Sequence, residues 1–236
     1  MTITGLQKTT LLDYPGMLAC TVFLQGCNFN CFYCHNRSLI ERIMIYEPIS
    51  EEKIFEFLES RPVLEGIVIS GGEPTINVDL PRFLDKIREV HPELNIKLDT
   101  NGSNPSMLRS ILHDGLVDYI AMDIKTAPYR YAEITKCAVD EAAIKESVAI
   151  ILNDQYINHE FRTTVVGGVH CHLYFEEIGK LVEGCERYVL QPFDPSSFGD
   201  RAVEMDHYIP SYEFLNGCRR VLERYVDGEV IIRGVS

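Results

Sequence analysis

The chain is expected to fold as an α/β protein, a partial (β/α)6 barrel of the TIM type with parallel strands inside and helices outside. Apolar runs of strand length alternate with amphipathic stretches from end to end. No linker or low-complexity tract interrupts that series. The length of 236 residues supports one sizeable core. It is short for a full eightfold barrel, which usually takes about 250 residues before additions.

The strand runs are 18–25, 66–70, 96–100, 119–124, 161–166, 188–191 and 230–233. Between them, 50–59 opens on Ser50-Glu51-Glu52-Lys53, a serine cap followed by acids in the first turn, and continues with Ile54, Phe57 and Leu58 at helical spacing. Segments 80–90, 105–113, 140–152, 175–182 and 211–225 have the same character. Strands alternating with helices imply right-handed crossovers and a parallel sheet, in which interior strands are expected to be apolar along their whole length. Residues 1–236 are read as a single domain.

The composition, 46% hydrophobic and 24% charged, is that of a folded protein. A net charge of -13 with scattered lysines and arginines lacks the basic footprint of a nucleic-acid binder. The opening Met1-Thr2-Ile3-Thr4-Gly5-Leu6-Gln7-Lys8 lacks a basic segment followed by an apolar h-region, so no signal peptide is expected, and no apolar run approaches the roughly 20 residues a membrane span needs. A cytoplasmic protein without membrane partners is expected. In that compartment its eight cysteines read as thiolate ligands plus buried thiols rather than disulfides.

Three of them cluster in the loop 25–36, as Cys27, Cys31 and Cys34 at C-x3-C-x2-C spacing. Three thiolates complete three irons of a [4Fe-4S] cube and leave the fourth iron open to an exogenous chelator. A zinc site competes, but structural zinc takes four protein ligands. His35 adjoins Cys34 too closely to reach the same ion easily, and Cys20 lies back in the strand. Three buried thiols without a ligand is the plainest alternative. One unit later, Gly71-Gly72-Glu73-Pro74 follows the strand Ile67-Val68-Ile69-Ser70. Missing side chains there let backbone carbonyls approach a bound amino group, with Glu73 as a further acceptor.

The cysteine loop, with an aromatic before its last cysteine, and the Gly71-Gly72-Glu73-Pro74 turn together resemble the radical S-adenosylmethionine (SAM) superfamily. The resemblance extends to glycyl-radical-enzyme activating enzymes, and among these to anaerobic ribonucleotide reductase activating proteins. It runs through Gly5-Leu6-Gln7-Lys8, Leu12-Asp13-Tyr14-Pro15-Gly16, Cys34-His35-Asn36, 98–104, 117–125 and 161–165. It implies a [4Fe-4S] cluster on Cys27, Cys31 and Cys34, and SAM bound by Gly71, Gly72 and Glu73 through its amino group. Asp99, Thr100 and Asp123 would belong to the same pocket and hold a monovalent cation, with Lys125 pairing the SAM carboxylate. Arg162 resembles the arginine placed near the sugar or the substrate peptide, an internal salt bridge being the competing reading. Tyr33 would shield the cluster and set its backbone by the adenine, or simply pack the loop.

The implied reaction is reductive SAM cleavage to a 5′-deoxyadenosyl radical, which takes hydrogen from a glycine of a partner enzyme, foremost anaerobic ribonucleotide reductase. Reduced flavodoxin, ferredoxin or a similar donor would supply the electron. A radical SAM enzyme acting on a small molecule is the alternative; a non-enzymatic iron-sulfur or zinc redox module has no use for the glycine turn. Where some related activases carry histidine, this chain has Gln191-Pro192-Phe193-Asp194. His170, Cys171 and His172 read as a helix start, and Cys20 and Cys185 as core. Cys137 and Cys218 form no second cluster set, so no ferredoxin-like domain is expected; neither they nor Cys171 acquire a role.

Overall fold

The computed structural model describes residues 1–40, 47–195 and 208–234. Eight strands form one sheet in chain order: β1 (Ile3–Thr10), β2 (Ala19–Leu24), β3 (Gly66–Gly71), β4 (Asn95–Thr100), β5 (Tyr119–Asp123), β6 (Asn158–Val165), β7 (Arg187–Pro192) and β8 (Glu229–Ile232). From β2 to β8 every pairing is parallel, and β1 runs antiparallel to β2. Among the described residues β1 and β8 are the two edges, so the barrel is open.

The seven parallel strands are those the apolar runs predict, with β6 beginning three residues earlier than expected, at Asn158. β1 is an addition. Its sequence is largely polar, and only Ile3 and Thr10 are buried along it, because it covers the flank of the sheet from an edge.

The helices are α1 (Arg37–Ile40), α2 (Glu51–Glu59), α3 (Leu80–Val90), α4 (Pro105–His113), α5 (Tyr131–Thr135), α6 (Glu141–Asn153), α7 (His172–Leu181) and α8 (Tyr212–Leu222). Several starts are set by side-chain caps: Ser50 accepts from the Lys53 amide, Asp140 from that of Ala142 and Ser211 from that of Phe214. Cys171 is the residue preceding α7, which therefore begins three residues before the predicted 175.

Each strand presents alternate residues to two environments. Outward, Ile67, Ile96, Leu98, Ile120 and Phe161 join helix residues such as Leu84, Ile111 and Ile178 in one continuous core. Inward, Tyr14 from the loop after β1 packs edge-on to Tyr119 beside Ala19 and Val68, closing the barrel floor.

Above that floor the expectation of wholly apolar strands fails. Lys97 and Glu160, at 0% and 1% exposure, lie within β4 and β6 beside Asp99 and Arg162. The second face of a barrel strand meets other strands across the lumen rather than a helix. Charges are tolerated there when they satisfy one another.

Candidate functional site

The carboxyl ends of the strands surround a cavity of about 250 Å3. Its wall brings together every residue that the sequence singled out: Cys27, Cys31, Tyr33, Cys34, Gly71, Gly72, Glu73, Asp99, Thr100, Asp123, Lys125 and Arg162. Gln191 lines it too, whereas Phe193 is fully buried and the Asp194 charge acts on His35.

The cysteine loop is tied down on several sides. The Glu73 amide donates to Gly26 O at 2.8 Å, Asn30 N to Thr135 O at 2.8 Å, and Asn36 Nδ2 to Gly71 O at 3.2 Å. Asn28 bridges Ser103 Oγ at 2.7 Å and Asn101 Nδ2 at 3.0 Å. All eight cysteines are free. Burial pushes the thiols of Cys27, Cys31 and Cys34 up, Cys27 to about 12, so iron binding there must displace protons.

Among the described residues no three Cys, His, Asp or Glu side chains are grouped to hold one metal ion. Thiols that share a wall without converging on a point fit a cube, in which each takes a different iron, better than a zinc site.

Gly71 and Gly72 have a structural reason that the sequence did not reveal. A Cβ at Gly71 would lie 2.3 Å from the Leu24 backbone, and one at Gly72 would lie 1.9 Å from Gly26 O. Bare backbone lets β3 end against β2 and the cysteine loop.

Glu73, 1% exposed, gathers four donors. Its Oε1 accepts from Thr75 N at 3.1 Å, Thr75 Oγ1 at 2.6 Å and Thr100 Oγ1 at 2.8 Å, and its Oε2 from Asn101 N at 2.6 Å. Burial pushes its pKa up against those bonds. With Oε1 so occupied, a ligand ammonium would address Oε2. Glu73→Gln would turn an NH2 toward existing donors, and a stability loss of about 2 kcal/mol is expected as a lower urea midpoint.

Opposite runs a row of charges. Lys97 donates to Asp99 Oδ1, which also takes Arg162 Nη1 at 3.3 Å, while Ser70 Oγ meets Asp99 Oδ2 at 3.0 Å. Arg162 Nε reaches Asp123 Oδ1 at 2.8 Å, and Lys125 Nζ reaches Asp123 Oδ2 at 3.0 Å. Burial alone would push both aspartates up, but Arg162, with Lys97 or Lys125, holds both below the usual range. Their stabilisation is therefore present above the ordinary aspartate pKa of 3.8 and is lost as the pH falls below it, which acid unfolding curves would register.

His170 is a residue whose part in the site sequence reading missed. It is 5% exposed; Nδ1 accepts the Val166 amide at 3.0 Å, so Nε2 carries the proton and donates to Lys125 O at 3.0 Å. Tyr131 Oη accepts from Lys125 N at 3.2 Å, and Thr163 Oγ1 donates to Ile124 O at 2.7 Å. The main chain on both sides of Lys125 is thus fixed. His170→Phe leaves two buried backbone groups unpaired and is expected to cost about 2–4 kcal/mol, read from denaturant unfolding.

Tyr33 packs with Ile134, Val166 and Phe193. Its buried hydroxyl has no hydrogen-bond partner among the described residues.

An open parallel barrel with a cysteine loop after its first parallel strand and a glycine turn after the next is the frame of a radical SAM protein. The radical SAM superfamily profile matches residues 21–183, and the chain belongs to that superfamily as one of its oxidoreductases. A Methanocaldococcus jannaschii protein assigned as a glycyl-radical enzyme activating enzyme is 31% identical over 240 residues, covering 99% of this chain and 96% of that protein. That likeness places the chain among the glycyl-radical enzyme activating enzymes. A Pyrococcus abyssi protein assigned as a GTP 3′,8-cyclase is 31% identical over 120 residues, 50% of this chain and 38% of its own length. In fold, the chain is similar to a domain of a pyruvate-formate lyase-activating enzyme from Bacteroides vulgatus, with TM-score 0.55 and 18% identity over 72% of this chain and 99% of that domain.

Proposed function

We propose that the chain is an activase that uses SAM and a [4Fe-4S] cluster to form a glycyl radical in a partner enzyme, foremost anaerobic ribonucleotide reductase. The observation that carries this reading is the meeting of three free thiols, the Gly71–Gly72–Glu73 turn and the Asp99–Arg162–Asp123–Lys125 row on one cavity. Cys27, Cys31 and Cys34 would hold the cluster. When bound, it supplies the electron that splits SAM into methionine and a 5′-deoxyadenosyl radical, which takes the glycine hydrogen and becomes 5′-deoxyadenosine.

The protein's own part is binding and orientation. Lys125 and Arg162 offer positive charge to an α-carboxylate, and the Glu73 side of the cavity offers acceptors to the amino group. Tyr33, packed from behind by Val166 and Phe193, is the aromatic residue of the cavity wall nearest the last two cysteines and would flank a flat heteroaromatic ring. No protein acid or base is needed for hydrogen-atom transfer, and none is assigned. Reduced flavodoxin or ferredoxin is the proposed electron donor. Residues 1–236 are proposed to act as one unit.

The partial likeness to GTP 3′,8-cyclases favours a second reading, a small-molecule substrate in the same cavity. Anaerobically reconstituted protein with dithionite and SAM is expected to release 5′-deoxyadenosine; an intact cluster that yields none would overturn both readings. An electron paramagnetic resonance doublet that appears only when the reductase is added supports the activase. Product without any such signal points to the small molecule.

A further inference from the structure

The charge row contains a member that neither lines the cavity nor belongs to the motifs that mark the family. Lys97 sits on β4 two residues before Asp99, on the same side of the strand, with no exposed side-chain surface. Its ammonium bonds Asp99 Oδ1 and lies 5.9 Å from the Tyr119 ring centre.

A lysine so deeply placed is costly to bury, and an apolar side chain of similar length would fill the space without that cost. The other charged groups near it are already engaged. Glu160 takes Arg233 at 2.9 and 3.3 Å, Tyr119 Oη at 3.3 Å and Arg187 at 3.7 Å, and Arg187 also meets Glu229 at 3.4 Å. That lower group of two carboxylates and two guanidiniums balances by itself, apart from a 4.0 Å approach of Arg162 to Glu160.

The upper row does not balance. Lys97, Asp99, Arg162, Asp123 and Lys125 alternate in sign from one end to the other, three cations against two anions. Because Lys97 meets Asp99 from below, Arg162 and Lys125 together exceed what Asp123 needs. The surplus unit of positive charge faces the cavity. Glu73, across the cavity, is held by amide and hydroxyl donors and draws nothing from the row.

We propose that Lys97 is a positioning residue that acts as a built-in counter-ion for Asp99, so that the Asp99–Asp123 row receives a ligand carboxylate without an added monovalent cation. This rests on the SAM reading of the cavity. It also departs from the expectation that Asp99 and Asp123 hold such a cation, since a further positive charge beside Arg162 would meet repulsion rather than vacant carboxylates.

The test is calorimetric titration of the reconstituted holoenzyme with SAM, and with non-cleavable S-adenosylhomocysteine. Buffers of equal ionic strength contain choline, sodium or potassium chloride. Wild-type Kd is expected to be the same in all three. Lys97→Met is expected to raise Kd about tenfold or more in choline. Sodium or potassium should recover part of that loss, as the ion takes the place of the ammonium. A lysine with a purely structural role would lower the unfolding midpoint and leave Kd alone.

A wild-type Kd that improves on adding sodium or potassium overturns the proposal, and that arm needs no variant to fold. So does a Lys97→Met Kd within about twofold of wild type, which corresponds to only about 0.4 kcal/mol. Wild-type holoenzyme that binds no SAM in any salt fails the SAM reading itself.

Discussion

Replacing any one of Cys27, Cys31 or Cys34 with alanine is expected to leave a folded protein that neither retains iron nor forms 5′-deoxyadenosine above background. The three thiols lie on a loop whose anchors are mostly other groups: the Gly26 carbonyl, the Asn30 amide and the side chains of Asn28 and Asn36. Removing one sulfur therefore costs little packing; the Phe29 amide donating to Cys27 Sγ at 3.3 Å is the main local loss. The proposed cluster would have no such redundancy, because each of the three thiolates takes a different iron.

Alanine at Cys20, Cys185 or Cys218 is the matching control. Each is fully buried in the helix-facing core and should lose about 1 kcal/mol of stability while keeping iron and product. Iron content and visible absorption after anaerobic reconstitution check the first group, and urea midpoints the second. A Cys31→Ala protein with full iron content and full product yield would remove the basis for the cluster.

How far the sequence disclosed this follows from which residues point where. The parallel strands were legible because helix-facing Ile67, Ile69, Ile120 and Met122 alternate with inward-facing Val68 and Ala121 that are apolar as well, so the runs are unbroken. β1 was not, since Gln7, Lys8 and Thr9 lie exposed on an edge, where pairing to β2 supplies order that composition does not record. The site residues were legible because loops after successive parallel strands converge on one end, so spacing along the chain becomes proximity in space.

Lys97 and Glu160 escaped for the opposite reason. Lys97 lies between apolar Ile96 and Leu98, Glu160 just ahead of the expected strand 161–166, and only the closure of the sheet shows that their faces meet across a lumen. His170 escaped because His170-Cys171-His172 reads as a helix start, which gives its ring no partner. Its contacts, to Val166 N and Lys125 O, join loops that are far apart in sequence.

Gly72→Ala is expected to be nearly as damaging as loss of a cysteine, by a different route. Its new Cβ would lie 1.9 Å from Gly26 O and 2.5 Å from Gly26 C, with Cys27 N at 3.2 Å. All of these are backbone atoms, so no rotamer change relieves the overlap. Either the bond from Glu73 N to Gly26 O at 2.8 Å opens, or the loop moves with Cys27 on it. A stability loss above about 3 kcal/mol follows from overpacking of this kind, together with poor iron loading in whatever protein folds.

Gly71→Ala adds a second fault, since φ there is +127° and the new Cβ would strike the Leu24 backbone at 2.3 Å. It should disrupt the β2–β3 pairing itself. Gly115→Ala separates strain from collision: φ is +63°, but nothing lies within 4 Å of the added carbon. Its cost should stay near 1 kcal/mol, with iron content unchanged. If Gly72→Ala matched Gly115→Ala in both urea midpoint and iron content, the close approach of the turn to the cysteine loop would not be what positions Cys27. The glycines would then be required only for what the cavity binds.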